Sequence, residues 1–258
     1  VPLPLLLAAL PTFHGQTAPI TGTTDFTARA VGEFDRPPTI NVDFNGSAGN
    51  VLVGERSLGN ITFQGTTNNQ LLNAELIATI EGRPQTVNAT LNFGDDRLPF
   101  RVSTNFDQSP LGPFIALVPQ LSGLSIEGVG TGQVEFGGNI AQRDASGNLV
   151  YSAAGLTGSA RFTQLSLSLQ NTPIAAVEPV VVRFDTREVV FESARFAGGG
   201  SNLTIAGSKA LAESGVNNLS VDGRINLGLL NVFPQIASGD TFFGGFADVS
   251  IRVAGPNT

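Results

Sequence analysis

Few residues in this chain could carry out chemistry. His14 is the only histidine. A histidine can act as a general base or a metal ligand, but no Ser-His-Asp arrangement can be built around this one. It reads as a structural or surface residue. Asp95 and Asp96 are adjacent carboxylates beside Gly94. A calcium-type site would need further oxygen ligands, which the surrounding sequence does not supply, and a turn accounts for both. The "GGG" at 198–200 is followed by no GK[ST] and sits in no βαβ pattern, so it is not a phosphate loop. With no cysteine, disulfides, thiolate catalysis and Cys-ligated metal are excluded. Tyr151 is the only Tyr and there is no Trp, so the usual platforms for sugar rings are missing. Asn60, Asn88, Asn202 and Asn218 each open an N-x-S/T triplet and read as plain strand residues. The expectation is no enzyme, no catalytic residue, no metal site and no cofactor.

Charge narrows the partners. The net charge is −7 and no basic stripe is present, which argues against nucleic acid. Charged residues make up only 14% of the chain, so surface polarity rests on Asn, Thr, Ser, Gln and 31 glycines. That is strand-and-turn chemistry, because helical surfaces use Lys, Glu and Arg. No apolar stretch reaches the ~18 residues that span a bilayer. Met is absent, position 1 included, so the chain is expected to be a processed protein or an excised segment.

The elements follow from alternation. "TINVDFNG" places Ile40, Val42 and Phe44 on one face and Asn41, Asp43 and Asn45 on the other. Leu72, Ala74, Leu76, Ala78 and Ile80 alternate with Asn73, Glu75 and Thr79, with Ile77 as the exception. Val87, Ala89, Leu91 and Phe93 alternate with Asn88, Thr90 and Asn92. Phe100, Val102 and Phe106 follow, then Leu165, Leu167 and Leu169 between serines. Val180, Val182 and Phe184, then Val189 and Phe191, then Leu203 and Ile205 continue the pattern. Leu219, Val221 and Ile225 come next, and Val249, Ile251 and Val253 close it. Turn signals stand at "NG" 45–46, "GDD" 94–96, "SGN" 146–148, "GGGSN" 198–202 and "SGVNN" 214–218. About 14 strands result, joined by short turns that favour antiparallel neighbours.

The opening "VPLPLLLAALPTF" looks like the apolar part of a signal peptide, but no basic residue precedes it and Pro2 and Pro4 interrupt it. It also recurs, as "PLGPFIALVPQL" at 110–121 and "INLGLLNVFPQI" at 225–236. Aligned on Pro11, Pro119 and Pro234, the columns are Leu6/Phe114/Leu229, Leu7/Ile115/Leu230, Leu10/Val118/Phe233 and Phe13/Leu121/Ile236. Gly22/Gly130/Gly245 and Phe26/Val134/Val249 follow at equal distances. The expected organisation is a repeat of about 110 residues. Each unit opens with a short amphipathic helix that the proline ends, then passes through a Gly-containing turn into a long strand. The units are 1–109, 110–224 and a third that begins in 225–258, within one continuous elongated domain. His14 has no equivalent in them, since Ser122 and Ala237 stand there.

Strands with one apolar face need something to cover it. A sandwich, a barrel or a sheet folded lengthwise into a trough would each do so. Stacked units favour an elongated form.

"GGGSNLTIAGSKA", "LSVDGRINLGLLNVF" and "ASGDTFFGGFADVSIRVAGPN" resemble the repeats of the TamB proteins, within the AsmA-like group. Leu203, Thr204, Ile205 and Gly207 match the first part of that repeat; Val221, Gly223, Ile225, Leu227, Leu229 and Leu230 match the second. Gly245, Val249, Ile251, Val253, Gly255 and Pro256 match the third, and the N-terminal residues resemble the second and third parts again. An insertion near "AQRDASGNL" departs from the pattern, and the anchoring and extreme C-terminal segments of the family are missing. The resemblance implies an internal fragment of a longer, periplasm-spanning protein anchored in the inner membrane of a diderm bacterium. It implies a mainly β fold, an elongated curved antiparallel sheet with a greasy groove (a β-taco) that conducts phospholipid between inner and outer membranes. It also implies an outer-membrane barrel protein as partner of another part of the full-length chain.

An acyl chain gains about 0.8 kcal/mol per buried CH2, so a smooth apolar trough holds lipid without catalytic residues and lets it slide. The candidate groove residues are Ile40, Val42, Phe44, Leu76, Val87, Leu91, Phe93, Phe100, Val102, Val182, Phe184, Leu203, Ile205, Val221, Val249 and Ile251. The competing reading is a structural or interaction module that assists outer-membrane protein assembly, with a dry core and binding through sheet edges.

Overall fold

The structure, a computed structural model, describes residues 20–33, 35–115, 126–144, 146–147, 149–169, 172–212, 214–232 and 243–257. The apolar run 1–13, His14, Pro119 and Pro234 lie outside these residues, with most of each expected helix. The described strands are β1 (Ile20–Glu33), β2 (Arg36–Val53), β3 (Arg56–Asn68), β4 (Leu71–Ile80), β5 (Arg83–Asn92) and β6 (Pro99–Pro110). After one α turn, α1 (Gly112–Ile115), come β7 (Ile126–Arg143), β8 (Leu149–Leu169), β9 (Thr172–Ala176) and β10 (Val180–Asp185). β11 (Glu188–Gly198), β12 (Ser201–Ala210) and β13 (Val216–Asn226) follow, then a 3-10 turn at Leu227–Val232 and β14 (Phe246–Pro256). The strands form one antiparallel sheet in the order β1 to β8, then β10 to β14, and β9 pairs with β8 and β11.

Two compact units divide the chain. The first holds β1–β5, β6 as far as Asn105, and the Val134–Thr157 stretch of β7 and β8. The second holds Phe106–Ile115, the other parts of β7 and β8, and β9–β14.

In the first unit, tight hairpins set the register. Asn69 and Gln70 link β3 to β4, and Glu81 and Gly82 link β4 to β5; all four have positive φ. That is the type I′ form, whose twist suits the flanking strands. Asp95 and Asp96 lie in the loop between β5 and β6, as the "GDD" signal predicts, and each binds an arginine. Asp95 takes Arg97 through its Nε (3.2 Å) and Nη2 (2.9 Å). Asp96 takes Arg143 from β7 through its Nε at 3.1 Å and its Nη2 at 2.5 Å.

The "NG" at 45–46 is not a turn. Asn45 and Gly46 lie in the middle of β2, which runs on to Val53. Gly46 faces Phe26 on β1 and Phe63 on β3, and Gly65 faces Phe44. A Cβ at Gly65 would stand 2.5 Å from the Phe44 ring, and one at Gly46 would stand 2.7 Å from the Phe63 ring. These glycines exist for close approach of a phenyl ring across strands, a known compensation for glycine in a sheet. The Phe44 and Phe63 centroids are 6.3 Å apart.

In the second unit, Gly199 and Gly200 make the β11–β12 hairpin, both with positive φ. Asp185 closes the β10–β11 turn: its Oδ1 accepts the N–H groups of Arg187 (2.7 Å) and Glu188 (2.8 Å). Phe106 is buried against Phe114 of α1, edge to face at 5.1 Å, and against Phe162 of β8 at 5.7 Å. Asn60, Asn88, Asn202 and Asn218 all lie within strands and are exposed.

Two measurements check this account. Gly65→Val must push the Phe44 ring aside, and overpacking of that kind costs roughly 1–3 kcal/mol. A urea midpoint unchanged from wild type would mean the ring does not lie there. Asp185 has its pKa held below the ordinary aspartate range by the two turn N–H donors, first from Arg187 and then from Glu188. A depressed carboxylate stabilises the fold above its ordinary pKa of about 4 and loses that effect as pH falls through the lowered value. Asp185→Ala is therefore less stable than wild type at pH 7, and thermal melts of the two converge below about pH 4.

Candidate functional site

Strand pairing decides which side chains share a face, because residues directly opposite in an antiparallel pair project to the same side. In the first unit this yields cross-strand rows on one face. One row reads Phe26, Gly46, Phe63, Leu76, Val87, Thr104; the next reads Ala28, Phe44, Gly65, Ala74, Ala89, Val102. A third joins Thr67, Leu72, Leu91 and Phe100, with Val42 beside Thr67 through main-chain bonds to its hydroxyl. The opposite face is polar: Thr27, Asn45, Gln64, Glu75, Asn88 and Ser103 form one row across it. Ile77, the break in the alternation, stands on this polar face between Thr62 and Thr86.

All nine groove candidates of this unit come together on the apolar side. Phe100 also meets Phe136 of β7, ring edge to ring face, at 6.3 Å. Phe93, Leu98 and Ala141 form a buried cluster, with Ile40, Val42, Leu72, Leu91 and Ile140 packed against it. Burial is uneven along the face. At one end the row Thr24, Ala48, Ile61, Ala78 and Gln85 is buried, and Val51, Val53 and Ile80 beyond it are almost sealed (1% exposed or less). In the middle, Phe44, Phe63, Leu76, Val87 and Val102 are only half-buried, and Phe26 is 42% exposed.

Thr24 and Gln85 are the polar members of the buried row, and Thr24 Oγ1 donates to the Ser47 carbonyl (3.0 Å). Gln85 Nε2 donates to Thr104 Oγ1 (2.5 Å) and to the Asn105 carbonyl (2.6 Å). Its Oε1 is buried and has no partner.

The second unit repeats the division of faces. Val182, Phe191, Gly207, Leu219 and Val253 form one apolar row; Ala194, Ile205, Val221 and Ile251 form another. Phe196, Leu203, Gly223 and Val249 form a third, and Phe184 opposes Val189. All seven candidates of this unit share the apolar side. Val182, Phe184, Leu203, Ile205, Val221 and Val249 are half-buried, and Ile251 is exposed. Lys209 stands on the same side, opposite Val189. Its Nζ donates to Asn217 Oδ1 (3.0 Å) and Asn257 Oδ1 (2.6 Å), which hold the charge at the end of the row.

Phe26, Phe63, Phe136, Phe196, Leu219 and Val253 belong to these faces and were not among the candidates. Phe63 is legible in the alternation of Ile61, Phe63 and Gly65, as Leu219 and Val253 are in theirs; Phe26, Phe136 and Phe196 become visible through the register and contacts of their neighbours. Shallow depressions occur on the polar side of the first unit, one of about 650 Å³ among Asp25, Asn45, Ser47, Thr62, Gln64 and Glu75. Phe26, Gly46, Phe63 and Ile77 also line it, and a second depression of about 510 Å³ is lined by Phe44, Gly65 and Ala74 beside Asp43, Asn45 and Glu75. Among the described residues, no group of three or more acidic or histidine side chains is placed to hold a metal. No described helix is long and apolar enough to cross a membrane. Comparison with protein-family models, with curated proteins and with solved structures finds no match.

Proposed function

We propose that the apolar face of this sheet binds the acyl chains of phospholipid and lets them slide along it. The observation that carries the reading is the half-burial of Phe44, Phe63, Leu76, Val87 and Val102 in the middle of a face that is buried at both ends, around Val51, Val53 and Ile80 at one and around Phe93, Leu98 and Ala141 at the other. A dry core buries such side chains fully, and exposed apolar surface of this extent marks a binding surface. Curvature supports it too. In a flat sheet β2 and β5 stand roughly 14 Å apart at ~4.8 Å per strand, yet Ile40 and Val42 pack against the cluster that contains Phe93. Such packing calls for a bend toward the apolar side, the geometry of a trough.

The likeness of "LSVDGRINLGLLNVF" and its neighbours to TamB repeats extends the reading to a segment of a periplasm-spanning lipid conduit. In that setting the neighbouring rows are nearly equivalent for a methylene chain. Movement from one row to the next then meets only small barriers, and no residue has to be catalytic. A second reading, an interaction module that assists outer-membrane protein assembly, draws on the outer strands. β1 and β14 each pair on one side only among the described strands, and such edges accept added strands.

Chain purified without detergent is expected to carry phospholipid, identified by mass spectrometry of an organic extract. Leu91→Asp and Val182→Asp each put a carboxylate on the apolar face and should lower bound lipid about tenfold, since a few lost CH2 contacts at ~0.8 kcal/mol each amount to that. Asn88→Asp, on the polar face, should leave it unchanged. Folded protein without lipid, or three variants that behave alike, would sink the reading.

A further inference from the structure

We propose that Lys209 holds the phosphate of a phospholipid whose acyl chains lie on the apolar rows of the second unit. The inference rests on the lipid-binding reading above and adds to it the place of the headgroup. Lys209 is the only lysine of the chain. It stands half-buried near the end of β12, in the row that joins Phe184 and Val189. The register of β12 with β13 sets Ser208 against Asn218, which brings Asn217 beside Lys209. Among the described residues it is the one charged side chain in the apolar rows of this unit.

Its ammonium is oriented without being neutralised. The two groups that hold it, Asn217 Oδ1 and Asn257 Oδ1, belong to neutral amides. Both amides are themselves fixed. Asn217 is buried, and its Oδ1 also accepts the Ala210 N–H at 3.0 Å. Asn257 donates through Nδ2 to the Ala212 carbonyl (3.2 Å) and through its N–H to the Gly215 carbonyl (2.9 Å). An ammonium has three N–H donors, so one remains after these two bonds. Among the described residues no carboxylate stands within ion-pair distance of Nζ. Arg183, Arg187 and Arg195 of the same unit each have a carboxylate partner. A partly buried charge calls for a partner of opposite sign, and here the protein supplies only dipoles.

A ligand that fits must bring an anionic oxygen to Nζ and lay apolar matter beside it. A phospholipid does both, and lysine binds phosphate as a point charge. Two residues along a strand span roughly 6.7 Å. Along β12, Gly207, Ile205 and Leu203 therefore mark apolar rows about 7, 13 and 20 Å from Lys209. Acyl chains of a lipid held at Lys209 run across these rows toward the Gly199–Gly200 hairpin. The charge thus sets the direction in which a lipid lies, while the rows leave its chains free to shift.

Calorimetric titration of the delipidated chain with water-soluble short-chain lipids tests it. Dihexanoylphosphatidylglycerol should bind wild type about tenfold more tightly than dihexanoylglycerol, which has the same chains and no phosphate. Lys209→Met keeps the apolar stem and removes the charge. It should lower phospholipid affinity to that of the diacylglycerol and leave diacylglycerol binding unchanged. Lys209→Arg should retain the preference, and inorganic phosphate alone should give no binding heat at the same concentrations. Circular dichroism verifies that the variants are folded, and the wild-type preference decides even if Lys209→Met is not. Equal affinity of wild type for the two lipids, or Lys209→Met binding phospholipid like wild type, overturns the anchor and leaves lipid binding standing. Equal loss of both lipids in Lys209→Met overturns it too, since Lys209 then only straps the strand ends together. Inorganic phosphate bound as tightly as phospholipid marks an anion site unconnected with lipid and also overturns it. If wild type binds neither lipid, the lipid-binding reading falls and the anchor with it.

Discussion

The constraint on which the rest of this protein depends is register. In a paired strand the side-chain period is two, so a slip of one residue would exchange the faces of the whole strand. Here the central pairings of the first unit set Phe, Leu, Val, Ala or Gly against its like, as in Phe63–Leu76 and Ala74–Ala89, and Asn, Gln, Thr or Glu against its like, as in Asn45–Gln64 and Glu75–Asn88. A one-residue slip of β4 would drive Asn73 and Glu75 among Phe63 and Val87 and bring Leu72 and Leu76 to the wet side. The type I′ hairpins at Asn69–Gln70 and Glu81–Gly82 prevent it, since a two-residue loop leaves no slack.

Given the register, packing along each face follows from size. A phenyl ring needs room on the neighbouring strand, and Gly46 and Gly65 provide it for Phe63 and Phe44. Large and small therefore alternate from β1 to β3. In the second unit Gly207 and Gly223 serve a different need: both have positive φ, and a Cβ on either would run into the neighbouring main chain at Asn218 or Asn202. Charged residues stand mostly at the turns and on the wet face; Lys209 is the exception, and Asn217 and Asn257 hold its charge. Arg97 with Asp95 and Arg143 with Asp96 are exposed pairs of the kind that contribute little to stability. Their use is to tie the β5–β6 loop to itself and to β7, and to hold a doubled carboxylate that otherwise looks like a metal site.

Much of the candidate face was legible before any coordinates. Period-two alternation is read directly from "TINVDFNG" or "TVNATLNFG", and the sixteen residues chosen that way all fall on the apolar side of their unit. The reading failed where one residue type has two uses. Asn-Gly at 45–46 has the composition of a hairpin, yet its glycine serves ring packing inside an 18-residue strand. The actual hairpins carry Asn-Gln and Glu-Gly, weaker signals with the same positive φ. Of the expected helices, one α turn at Gly112–Ile115 and a 3-10 turn at Leu227–Val232 lie among the described residues.

By itself the sequence determined the class of this protein: antiparallel strands, with one apolar and one polar side to each. These are local properties, fixed by residue type and a period of two. The tertiary structure alone decided which strands are neighbours, where a glycine admits a ring, and which apolar rows are sealed and which lie half-open. Those depend on pairings between residues far apart in the chain, for which alternation carries no signal.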